Sequence, residues 1–221
     1  MALSFYLNYI RVPYELCLNI TMIAMLKLKA VNWLMGTKFY KHALLKVIPY
    51  IRFTTYYPDM KGSQYSKLYD AMEPGDIILT IDRRKLTTVL IPGEFSHAGM
   101  CVSKDGEWET AEMTHNHYDK TCLFDMASQS DRIVIMRPQL PLSVINKAID
   151  KCKSFEGTDY DTTFSLGVEA LYCSELVYES YENNSLGVDI SDLLGMGKPY
   201  ISPSGLYTAT NLKVVIDSDD L

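Results

Sequence analysis

Apolar and polar positions divide the chain into two parts. Over residues 14–35 apolar side chains cover most of a helical surface. At 100° per residue Glu15, Asn19, Thr21, Lys29 and Asn32 fall on one polar stripe, with Lys27 the exception on the apolar side. A second helical stretch, about 37–48, follows Gly36 and stops before Pro49. Residues 50–66 carry Tyr, Pro and Gly and have the character of a linker. Three settings suit these helices: packing on their own domain, a partner surface in a larger assembly, or a membrane surface, where basic groups beside Trp33 and Met35 would lie among headgroups.

From residue 70 the pattern changes to short β-rich runs. A Pro-Gly turn at 74–75 precedes a strand over 76–81. Runs at 96–102 and 108–114 flank Lys104, Asp105, Gly106 and Glu107, and Asp-Gly between two such runs signals a hairpin. A strand over 132–136 is closed by Pro138. Pro141 opens a helix over about 142–154, with Leu142, Ile145, Ala148, Ile149 and Cys152 at helical spacing. A helix over 172–182 and a late strand over 214–216 follow, and no internal repeat is visible. The organisation expected is a helical extension over 1–60, an α+β domain over 65–216 and an acidic tail over 217–221.

Charge sharpens the division. The 221 residues carry a net −6, but residues 1–60 hold +5 and the remainder −11. An acidic body argues against a general nucleic-acid binder, which needs a basic face for phosphates. The length suffices for a core without disulfide or metal staples. Five cysteines, at 17, 101, 122, 152 and 173, are an odd number without CxxC spacing, so no disulfide framework is expected. No Cys/His cluster has zinc spacing, and nothing near His115 and His117 completes a ligand set. The first apolar run, 16–26, starts late for a signal peptide and lacks a basic region before it. It ends at Lys27 and Lys29, short of the roughly 20 apolar residues that span a bilayer. The expectation is no cleaved signal peptide, no full transmembrane helix, and a cytoplasmic or virion-associated protein.

The hairpin carries a geometric inference. With Asp105 and Gly106 as the two turn residues, Lys104 faces Glu107, Gly99 faces Glu112 and His97 faces Thr114. Paired residues share a sheet face, so His97, Gly99, Cys101, Thr110, Glu112 and Thr114 lie together, with Glu109 and His115 opposite. Glu112 becomes the diagonal neighbour of His97, roughly 7–8 Å away along the backbone, with only a glycine between them. A one-residue slip would reverse this. Cys173 stands at the start of a helical run, and a helix N-terminus together with a nearby imidazole lowers a thiol's pKa. A thiolate, a His base and an orienting carboxylate make up the logic of covalent catalysis. Spacing alone does not bring Cys173 to His97, and a free cysteine is more often a small core residue.

Glu-Pro-Gly-Asp-Ile-Ile-Leu at 73–79, Phe-Ser-His-Ala-Gly-Met at 95–100 and Ala-Glu-Met at 111–113 resemble the first half of the YiiX-type proteins, the circularly permuted NlpC-like branch of the papain-like cysteine hydrolases. Gly-Thr-Asp-Tyr-Asp at 157–161, Tyr-Cys-Ser-Glu-Leu-Val-Tyr at 172–178 and Ile-Ser-Pro-Ser-Gly-Leu at 201–206 resemble the second half, in order, with His before Cys. The resemblance covers about residues 70–215. It implies an α+β permuted papain-like fold with a central antiparallel sheet and packed helices, preceded here by the helical extension. It also implies Cys173 as nucleophile, His97 as base and Glu112 as the group orienting the imidazole, with Tyr160, Asp161 and Tyr172 near the substrate. The polar run Met113 to His117 departs from the family and bears on specificity.

The reaction expected is hydrolysis of an amide, without metal or organic cofactor. An oxyanion hole should include a backbone N–H near Cys173. The resemblance points first to a peptidoglycan peptide or related amide, with carriage in a phage particle as one route to the wall. A lipid acyl hydrolase or acyltransferase at a membrane surface, and a non-catalytic module of a virion-like assembly, are the alternatives. The N-terminal helices are expected to dock on another protein or a membrane, and their apolar surface also suits a flap over the active site.

Overall fold

A computed structural model describes residue 30 and residues 33–52, 60–195 and 197–221. Most of the helix expected over 14–35 lies outside these residues. Helix α1 (Lys38–Lys46) starts behind Thr37, whose hydroxyl accepts the Tyr40 N–H at 3.2 Å. A 3-10 turn (Ile48–Tyr50) with Pro49 in its first turn follows. Helix α2 (Gly62–Ala71) takes up part of the stretch with linker character. Its apolar face, Tyr65, Leu68, Tyr69 and Met72, has i, i+3, i+4, i+7 spacing that straddles the supposed linker's end.

Strand β1 (Ile77–Ile81) is buried on both faces, which accounts for its unbroken apolar run. After helix α3 (Leu86–Leu90) come β2 (His97–Asp105), β3 (Glu107–Met113) and β4 (Tyr118–Cys122). Helix α4 (Leu123–Ser128), β5 (Arg132–Pro138) and α5 (Leu142–Ser154) follow. Short β6 (Asp159–Tyr160) runs parallel to β7 (Ala170–Leu171). Then come α6 (Cys173–Ser180), the pair β8 (Ser191–Asp192) and β9 (Pro199–Tyr200), α7 (Pro203–Tyr207) and β10 (Leu212–Asp217). Six strands form one sheet in the order β10-β5-β1-β2-β3-β4, and every neighbouring pair is antiparallel.

Period-two alternation gives the sheet two apolar faces. Leu79, Ala98, Met100 and Val134 pack with Ile149 of α5 and Leu176 of α6. Ile78, Cys101, Ile133 and Ile135 pack with Leu68 of α2 and Leu123 of α4. Residues beyond 216 complete the sheet. Asp217 pairs with Val134, its carboxylate accepts from Arg132 Nη2 at 2.6 Å and Nε at 3.1 Å, and Ser218 Oγ accepts the Ile133 N–H at 3.0 Å.

The β2–β3 hairpin closes differently from the expected turn and yet delivers the expected register. Asp105 pairs with Glu107 around Gly106 alone, whose φ of +74° suits glycine. That would shift every later pair by one residue. The register shifts back between Cys101 and Ser103, leaving Val102 as a bulge. Gly99 therefore does face Glu112.

Candidate active site

His97 is the first residue of β2 and Cys173 the first of α6, and α6 packs on β2, so the two meet where the strand begins. Glu112 hydrogen-bonds His97 Nε2 across the side-chain-free position at Gly99. A Cβ at Gly99 would come within 2.7 Å of Thr110 Cγ2 and 2.9 Å of Met126 Cε, so a larger residue would push the two strands apart. With Nε2 occupied, Nδ1 is the ring nitrogen left to Cys173, which lines the same cavity. The Thr121 hydroxyl also supports the Glu112 carboxylate, from β4.

The electrostatics set Cys173 apart. Burial works against its thiolate, but the His97 charge and hydrogen bond prevail and hold the thiol below its ordinary range. Backbone N–H groups of Ala98 and Ser174 act in the same direction. For His97, burial favours the neutral ring, but Glu112 and Cys173 outweigh it and raise the imidazole to about 10. Glu112 is held down by His97 against its own burial. Cys101 and Cys152 are free and buried too, yet without an imidazole burial pushes them up to about 12 and about 11.

The segment between β9 and α7 fixes Cys173. The Tyr172 hydroxyl accepts the Ile201 N–H at 2.9 Å, and Ser174 Oγ donates to the Ile201 carbonyl at 2.7 Å. The residues flanking Cys173 thus grip the backbone N–H and C=O of one residue, Ile201. Tyr172 is 1% exposed and stacks on Tyr200. Instead of facing substrate, as the resemblance implies, it holds the start of α6. Asp161 likewise turns inward and organises its own loop, accepting from Thr163 N at 2.7 Å and Ser165 N at 2.6 Å. Tyr160 does line the cavity with Cys173. His115 and His117 line the same cavity.

The cavity measures about 510 Å³, and residues of the N-terminal extension form part of its wall, among them Leu45, Pro49, Tyr50 and Arg52. Tyr50 Oη lies 2.9 Å from His115 Nε2, Lys46 Nζ donates to Asn116 Oδ1 at 2.9 Å, and the Leu86 N–H donates to the Ile51 carbonyl at 3.1 Å. Sequence reasoning did not find Thr121, Lys85 or the cleft-facing residues of the extension. Thr121 stands in β4, whose charged Asp119 and Lys120 mask a strand in the way edge strands do.

Residues 71–216 match the family described as permuted papain-like amidase enzyme, YaeF/YiiX, C92 family. A crystal structure described as metalloprotein yiiX from Escherichia coli O157:H7 is similar, with a TM-score of 0.56 and 22% identity over 65% of this chain and 96% of that chain. At that identity the likeness concerns the fold. No match is found among curated proteins. The family match takes in the whole sheet but its last residue, together with His97, Glu112 and Cys173, and the chain belongs to the permuted papain-like amidases of the YaeF/YiiX, C92 family.

Proposed function

We propose that this hydrolase is a cysteine amidase in which Cys173 is the nucleophile, His97 the proton carrier and Glu112 the residue that orients and charges the imidazole. The observation that carries this reading is the Glu112–His97 hydrogen bond with Cys173 beside it in one cavity, its thiol held below the ordinary range by the His97 charge against burial. The Cys173 thiolate adds to the carbonyl carbon, and the new oxyanion is stabilised by backbone N–H groups at the α6 start. The C–N bond breaks as His97 gives its proton to the leaving amine, leaving a thioester. Water then attacks with His97 taking its proton, and the carboxylic acid leaves as Cys173 is released. The substrate proposed is a peptide amide, with peptidoglycan peptides the first to test.

The Leu44, Leu45 and Pro49 side of the cleft favours one further reading, cleavage of a lipid acyl ester at a membrane surface. No helix among the described residues is long and apolar enough to cross a membrane. The YiiX relative is described as a metalloprotein. Among the described residues of this chain no three His, Cys, Asp or Glu converge as metal ligands, and Glu112 and Cys173 engage the His97 ring. These residues do not fit a resident metal, and no step runs through one.

The test is iodoacetamide labelling across pH, read by mass spectrometry, with hydrolysis of cell-wall peptides and of acyl esters in vesicles measured in parallel. Cys173 is expected to label below pH 9, where Cys101 and Cys152 stay silent, to lose that reactivity in His97→Ala and to shift to higher pH in Glu112→Gln. Labelling of Cys173 no faster than Cys101 in a folded sample would overturn the proposal and leave a structural module with a hydrolase fold.

A further inference from the structure

The family match begins at residue 71, so the extension that walls the cleft is an addition to the shared fold. It brings a cation to a place where one already stands. Arg52 forms an isolated antiparallel bridge with Lys85, the residue preceding α3, and both line the catalytic cavity. Side chains of directly paired residues stand on one side of the ladder, about 4.5–5.5 Å apart at Cβ, and like charges so placed repel.

Local acids offset this repulsion only in part, and on the Lys85 side. Asp82 is held chiefly by Arg84, with contacts of 2.6 Å and 2.9 Å, and forms a longer ion pair with Lys85 Nζ at 3.6 Å. Glu112 is bound to His97. Asp119, the other acid of the lining, stands on the edge strand β4. Among the described residues the Arg52 guanidinium makes no ion pair or hydrogen bond. The Lys85 charge reaches groups of the cleft: after His97 it helps hold Glu112 down against burial, and after burial and Lys46 it helps hold His115 down.

We propose that Arg52 and Lys85 form an anion subsite of the active-site cleft, so that the enzyme prefers amides carrying a carboxylate or a phosphate beside the scissile bond. The inference rests on the amidase reading of the cleft for its role and on the bridge geometry for its existence. An anion between the two cations relieves their repulsion and accepts charge-assisted hydrogen bonds from both, with the guanidinium able to bind two oxygens at once. The extension thereby contributes substrate selection as well as a wall. Its basic character, opposite to that of the rest of the chain, is then used at the mouth of the site.

Two small alkylating agents test this directly. Iodoacetate and iodoacetamide differ in one negative charge, so the ratio of their rates at Cys173 reads the local field. Each of Arg52→Gln and Lys85→Gln is expected to lower that ratio about three- to tenfold at low salt, with the difference shrinking as salt rises. Lys147→Gln, on the exposed side of α5, should leave it as in wild type. A second readout needs no thiol. Succinate or inorganic phosphate should raise the melting temperature of wild type and not of the double variant, and the effective anion identifies the source.

A ratio unchanged in both single variants, or an anion-induced shift that persists in the double variant, overturns the subsite. If Cys173 is no more reactive than Cys101 while the anion-induced shift is lost in the double variant, the subsite stands and the amidase reading falls.

Discussion

Single side chains here are decided by who stands next to them rather than by burial. Cys173, Cys101 and Cys152 are all buried, and only the one beside an imidazole is held low. Glu175, two positions after Cys173, shows the opposite case. Among the described residues no cation pairs with it, so burial raises it to about 8, although its carboxylate accepts the Gly167 N–H at 2.8 Å. A carboxyl raised in the folded state holds its proton more tightly there than in the unfolded chain. Its stabilisation is complete below the unfolded value, near 4.5, and is lost as pH rises through about 8. Melting curves between pH 4 and 9 should show stability falling over that window by a few kcal/mol, on the order set by the linkage relation. Glu175→Gln should flatten the fall. An equal slope in the variant would mean that another group titrates there.

At the level of strands and helices, Gly99 is the position on which the site turns. Its missing side chain lets Glu112 reach His97 diagonally. In Gly99→Ala the new methyl meets Thr110, Met126 and the Ala111 carbonyl, at 3.2 Å for the last. Overpacking of this kind costs about 1–3 kcal/mol. Chemical denaturation should show that loss, with slower Cys173 alkylation as the strands separate; a variant of wild-type stability and reactivity would show that the hairpin yields freely. This Gly99–Glu112 pairing was legible because side-chain alternation and an Asp-Gly turn constrain it. The route to it was not. The one-residue turn at Gly106 and the bulge at Val102 cancel, and Val102 fits the apolar pattern whether paired or not. Helix α5 was legible to the residue because its amphipathic stripe runs uninterrupted from Pro141. Strand β4 was not, since its middle is charged and solvent-facing.

For the whole molecule, the charge division at residue 60 was legible, and the seat of the extension was not. The contacts that fix it join residues 65 and 70 positions apart, and local periodicity is silent on such pairs. Tyr50→Phe tests how firmly that seat holds. It removes a partly exposed hydrogen bond to His115, so global stability should change by about 1 kcal/mol or less. Amide exchange over residues 44–52 should nevertheless quicken while the sheet stays protected. Unchanged exchange would show that the Leu86–Ile51 bond and the Lys46–Asn116 contact suffice. The grip on Ile201 has a consequence in time. Synthesis runs from the N-terminus, so the His97–Glu112 hairpin leaves the ribosome well before Cys173, and Ile201 emerges later still. A nascent chain that already exposes its thiol lacks the residue that seats it. The Cys173 thiol is therefore seated among the last events of biosynthesis, and an unfinished chain is a poor hydrolase toward its surroundings.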